Sequence, residues 1–113
     1  MRKRTARLLI TETAARGVVE QADYFAMRSG DALARRWEVA VTSAIGSLRN
    51  SAGQGAPCNF RHPELRNLRR MGVPGFRRYL VFYQYWPDQS LVRVVHVLHA
   101  ARDVETLLFD ELS

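Results

Sequence analysis

The sequence predicts one α+β domain, with helices gathered in the first half of the chain and strands in the second. Two neighbouring stretches carry apolar residues at helical spacing, three later stretches are rich in β-branched and aromatic residues, and 113 residues suffice for one ordinary core. The predicted order is β-α-α-β-β-β-α. It describes a small, mainly antiparallel sheet packed against a helical hairpin, with a C-terminal helix, and residues 1–113 forming the single domain.

The run "ARLLIT" is of strand length. From Ala14 to Arg28, Ala15, Val18, Val19, Ala22, Phe25 and Ala26 recur three and four apart and share one helical face. "SGD" follows, with a glycine to end that helix and Asp31 to cap the next. Ala34, Trp37, Val41, Ala44, Ile45 and Leu48 then repeat the helical pattern, so the two helices form an antiparallel hairpin. Asn50 to Pro63 has glycines, prolines and no period, which reads as a long surface loop. "ELRNLRRM", "FRRYLVFYQYW" and "SLVRVVHVLH" follow as strands, parted by "GVPG" and "PDQ". In the closing "AARDVETLLFDELS", Val104, Leu107, Leu108 and Leu112 lie on one helical face.

The middle strand raises a question of cover. Alternation sends Phe76, Leu80, Phe82 and Trp86 to one side and Tyr79, Val81, Tyr83 and Tyr85 to the other, so both sides are apolar or aromatic. A helical hairpin covers one side, and a short terminal helix shields part of the other. The expectation is a partly exposed aromatic groove, which in a monomer marks an interaction site.

Composition narrows the classes of function. No run of about 20 apolar residues is present to span a bilayer, and only Leu8, Leu9 and Ile10 follow the basic start before Thr11, too few for a secretory signal, so the expected location is cytoplasmic. Cys58 is the single cysteine, without a thiol to pair with or a nearby set of metal ligands; no metal or cofactor is expected. Residues 1–100 hold sixteen basic against seven acidic side chains, a net +9. The densest band is Arg61, Arg66, Arg69, Arg70, Arg77 and Arg78 against Glu64, a surface suited to phosphates or an acidic protein.

The segment "ELRNLRRMGVPGFRRYLVFYQYWPDQSLVRVVHVLHAARDVETLL" resembles the RelE/ParE family of bacterial toxins, closest to ParE. Its aromatic strand "F-x-x-Y-L-V-F-Y" and the strand running into "V-L-H-A-A-R-D" before a helix carry the likeness, and the N-terminal half agrees more loosely. The resemblance implies a type II toxin that inhibits DNA gyrase by binding, with no catalytic residue, and that is neutralised by a ParD-like ribbon-helix-helix antitoxin. Arg61, Arg66, Arg69, Arg70, Arg77 and Arg78 would meet acidic side chains of the antitoxin or target, and Trp37, Tyr79, Phe82 and Tyr83 would supply apolar area. The alternative is a RelE-like endonuclease that cuts messenger RNA on the ribosome. Those nucleases commonly carry "Y-R-x-x-Y" in the middle strand, whereas Leu80 follows Tyr79 here, and an aliphatic group cannot stabilise a developing phosphorane charge. What remains for such chemistry is Arg77, Arg78, Tyr83, His96, His99 and Arg102. Across a strand, His96 and His99 point to opposite faces, and His99 at the strand-to-helix junction can bond to backbone.

Overall fold

The computed structural model describes residues 5–112; the basic Arg2, Lys3 and Arg4 and the terminal Ser113 lie outside them. Strand β1 (Arg7–Ile10) leads into helices α1 (Glu12–Ser29) and α2 (Asp31–Ser47), and the chain continues through β2 (Ala56–Pro57), β3 (Leu68–Val73), β4 (Phe76–Trp86), β5 (Leu91–His99) and α3 (Val104–Leu112). One sheet has the order β1-β5-β4-β3-β2, antiparallel except where β1 runs parallel to β5. This is the expected α+β arrangement with one strand added.

Local chemistry explains the boundaries. The Thr11 hydroxyl accepts from the Ala14 N–H at 3.1 Å and donates to the Val95 carbonyl at 2.8 Å, so a single side chain caps α1 and ties it to β5. Gly30 takes φ +95° between α1 and α2, where its N–H still reaches the Ala26 carbonyl. Asp31 was expected to cap α2, but its side chain makes no cap bond; it stands in the first turn, where its charge suits the helix dipole. Pro74 and Gly75, the latter at φ +83°, turn β3 into β4.

Two stretches depart from expectation. Ala56 and Pro57 of the predicted loop pair with Arg70 and Arg69 as an edge strand, the position where a proline is tolerated. "ELRNLRRM" is not one strand: Pro63–Leu65 forms a 3-10 turn, Asn67 takes φ +64°, and pairing begins only at Leu68.

The sheet separates two cores. On the hairpin side, Ala14, Ala22, Trp37, Val41, Ile45 and Leu48 pack on Val81, Tyr83, Val92, Val94 and Val97. On the other, Leu108 of α3 and Leu65 of the 3-10 turn close over Leu68, Phe82, Val95 and Leu98. The predicted face of α2 is the buried one throughout. On α1 the predicted face is buried at Ala22, but Val19, expected inside, is 58% exposed and Ala15 is exposed, while Ala14 is buried in their stead.

The expected aromatic groove along β4 is not formed. Val81 to Gln84 are buried, with Val81 and Tyr83 under the hairpin and Phe82 under α3 and the loop before β3. Phe76 also changes sides. Val73 pairs with Phe76 while Gly72 pairs with Leu80, so the extra residues of β4 reset the alternation. Phe76 thereby packs on Trp37 and Phe25 with centroids at 5.3 and 5.5 Å, on the hairpin side with Tyr79.

Candidate functional site

Trp37 and Tyr83, expected as contact residues, are core residues with 0% exposure, and Phe82 is 1% exposed. The Trp37 indole N–H donates to the Val18 carbonyl at 3.0 Å, stitching α2 to α1. The Tyr83 hydroxyl donates to Ala52 O at 2.8 Å and accepts from Gly55 N at 2.9 Å, and burial pushes its pKa up. Neither offers surface to a partner. Tyr79 is half-buried, between Trp37 at 4.9 Å and His99 at 5.0 Å, its pKa raised first by burial and then by Tyr24.

The apolar surface that a partner could use lies elsewhere. Among the described residues strand β1 is an outer edge of the sheet, and its Leu9 and Ile10 are about half exposed, at 51% and 49%. Beside it Leu8, Ile10, Ala15, Val18, Ile45 and Gly46 line a groove of about 350 Å³ between β1 and the helical hairpin. Leu8, Ile10, Val18 and Ile45 were visible as apolar residues of their own elements; their meeting at a sheet edge carries no signal in local spacing.

The arginine band divides by role. The Arg69 guanidinium donates to Gly55 O at 2.7 Å and Gly53 O at 3.3 Å, which pins the β2 loop over the sheet. Arg70 stands beside Cys58, a half-buried thiol whose pKa is pushed up by burial against the opposing pull of Arg70. Arg61, Arg66, Arg77 and Arg78 are exposed. Among the described residues the one ion pair is Arg16–Glu12 at 3.0 Å on α1, so none of the six band arginines has a carboxylate at ion-pair distance.

His96 and His99 do occupy opposite faces, paired with Phe82 and Tyr79 respectively. They nevertheless line one cavity. Strand β1 stops at Ile10, opposite Val94, so β5 runs on with an open edge against α1. There Gly17, Gln21, Tyr24, Tyr79, His96, His99 and Arg102 surround about 270 Å³ of space. The His96 Nδ1 accepts from the Val97 N–H at 3.1 Å and the His99 Nδ1 from the Ala101 N–H at 3.0 Å, the backbone bond expected for His99. Burial lowers the His96 pKa. Of the residues set aside for nuclease chemistry, the fold therefore gathers His96, His99 and Arg102 and separates Tyr83 from them in the core. Gln21 was not singled out from the sequence; a polar residue on an otherwise apolar helix face was the available signal. Among the described residues, no three His, Cys, Asp or Glu side chains are grouped as a metal site requires, and no helix is long and apolar enough to cross a membrane.

Comparison with known proteins bears on both fold and family. The structure is similar to the chromosomal ParDE toxin–antitoxin system from P. aeruginosa, with a TM-score of 0.68 and 15% identity over 84% of this chain and 96% of that one. It is also similar to the RelBE2 toxin–antitoxin complex from Mycobacterium tuberculosis, with a TM-score of 0.55 and 21% identity over 89% and 98% of the two chains. No curated protein sequence matches. At such identities the structural likeness speaks for the fold. The model of the ParE toxin of type II toxin–antitoxin systems matches residues 8–104 in sequence, which is most of the chain, and with the two-core fold around β4 and β5 it leads to one conclusion: this protein belongs to the ParE toxin family.

Proposed function

We propose that this toxin acts by binding DNA gyrase, without chemistry of its own, and is neutralised by a ParD-like ribbon-helix-helix antitoxin in the cytoplasm. The observation that carries the reading is the state of the middle strand. Leu80 packs in the α3 core and the Tyr83 hydroxyl is wholly buried with both its hydrogen bonds spent, so these two positions of β4 present neither a charge to stabilise a phosphorane nor a free proton-transfer group. Support for a protein partner comes from the apolar groove beside β1 and from the arginines without carboxylates, which suit an acidic amphipathic segment. The relatives of known structure come from toxin–antitoxin systems.

The second reading, a ribosome-dependent messenger-RNA endonuclease, is favoured by one observation: His96, His99 and Arg102 share a cavity. Gyrase supercoiling assays with purified toxin separate the two. Inhibition or trapping of cleaved DNA is expected; supercoiling that proceeds unchanged, with codon-positioned cuts in a defined message on ribosomes, would replace the gyrase reading with the nuclease one.

A further inference from the structure

The cavity between α1 and the open edge of β5 has a chemical bias that binding to gyrase does not require. Both histidine rings have Nδ1 occupied as an acceptor from backbone N–H groups, so in the neutral ring the proton sits on Nε2 and each imidazole is left with a donor. Arg102 adds a guanidinium with no carboxylate at ion-pair distance among the described residues. Gln21 adds an amide whose Nε2 is buried without a hydrogen-bond partner. A buried donor left unpaired is costly, of order 1–3 kcal/mol, and calls for an acceptor. Against these four donors Glu20, exposed at the rim, is the one carboxylate among the described residues that lines the cavity, and Glu111 lies near enough to His96 to act on its charge. Tyr24 and Tyr79 form an aromatic wall, with the buried Trp37 ring behind Tyr79 at 4.9 Å.

We infer that this cavity binds the phosphate group of a small ligand, with Gln21, His96, His99 and Arg102 donating to its oxygens and the aromatic wall beside it. A tetrahedral oxyanion accepts several hydrogen bonds at once, which suits a cavity whose lining draws donors from α1, β5 and the β5–α3 connection. The volume of about 270 Å³ suits inorganic phosphate or a phosphomonoester rather than a large ligand. Occupancy would join α1 to the root of α3, two elements that otherwise meet through the Thr13–Glu111 hydrogen bond of 2.8 Å.

Trp37 lines the cavity and the only other tryptophan is Trp86, so the full-length Trp86→Phe protein reports occupancy through Trp37 fluorescence. Inorganic phosphate, adenosine monophosphate and adenosine are the three probes. Saturable changes with phosphate and the monophosphate, and none with adenosine, are expected. Equal affinity for the first two identifies the free oxyanion as sufficient, and tighter monophosphate binding adds the aromatic wall as a base contact. Arg102→Met or Gln21→Leu is expected to weaken binding about tenfold or more, the loss of one charge-assisted bond, while Arg77→Ala/Arg78→Ala leaves it unchanged. Arg102 is exposed, so its variant should fold, as circular dichroism would verify. The proposal is overturned by an absence of saturable binding, by binding of adenosine alone, by full affinity in folded Arg102→Met, or by equal loss in the Arg77/Arg78 variant. None of these outcomes depends on whether gyrase is inhibited.

Discussion

Tyr83 joins three parts of the molecule at one residue: its ring fills the hairpin core, and its hydroxyl holds the loop before β2 at Ala52 and Gly55. Tyr83→Phe keeps the packing and leaves a buried N–H and carbonyl unpaired, which should cost about 1–3 kcal/mol in urea unfolding. Gly55→Ala should cost more, because a Cβ there would lie 2.5 Å from the Tyr83 hydroxyl and 2.8 Å from the Arg70 carbonyl. His96 adds a pH dependence. Burial lowers its pKa and Arg102 acts in the same direction, while Glu111 opposes them. Between the lowered value and the ordinary 6.5, the unfolded chain binds more protons than the native one. The contribution of His96 is thus complete above about pH 6.5 and fades as the pH falls, so His96→Gln should flatten the acid side of a plot of urea midpoint against pH.

At the level of elements, the seating of α1 on β5 depends on Gly17, whose absent Cβ would lie 3.3 Å from the Val97 carbonyl. Replacing a helical glycine usually stabilises by up to about 1 kcal/mol, yet Gly17→Val should lower stability by about 1–3 kcal/mol by lifting the helix from the strand edge. Gly46→Ala in α2 meets nothing within 4 Å and should show the ordinary gain, giving denaturation curves of opposite sign for the two glycines. The same contrast explains what could be read from the sequence. The α2 face was legible because Trp37, Val41, Ile45 and Leu48 face one core and periodicity reports a single environment well. Strand β2 was not, since two residues including a proline pair only because β3 is there to receive them. Phe76 was assigned to the wrong side because alternation assumes an unbroken ladder, and the hairpin irregularity at Gly72/Val73 breaks it. The cavity of Gln21, His96, His99 and Arg102 was half legible: the histidines and arginine stood out by type, but their approach to α1 follows from β1 being shorter than β5.

For the molecule as a whole, charge is the dominant feature left unsatisfied internally. With +6 overall and a single ion pair among the described residues, most of the arginines have no internal carboxylate to neutralise them, as the proposed acidic partner requires. Replacing Arg66, Arg70, Arg77 and Arg78 by alanine should weaken antitoxin or target binding, reduce the salt dependence of the affinity seen by calorimetry, and leave the melting temperature nearly unchanged. Arg69 is omitted because it holds Gly53 and Gly55, and its loss would confuse binding with folding. The parallel pairing of β1 with β5 has a last consequence, during synthesis. The opening strand finds its neighbour only in the penultimate element, with the Thr11–Val95 bond spanning 84 residues. On the ribosome, the sheet therefore stays incomplete until nearly the whole polypeptide has emerged, and a product terminated before Leu91 leaves the opening strand without the neighbour it pairs with.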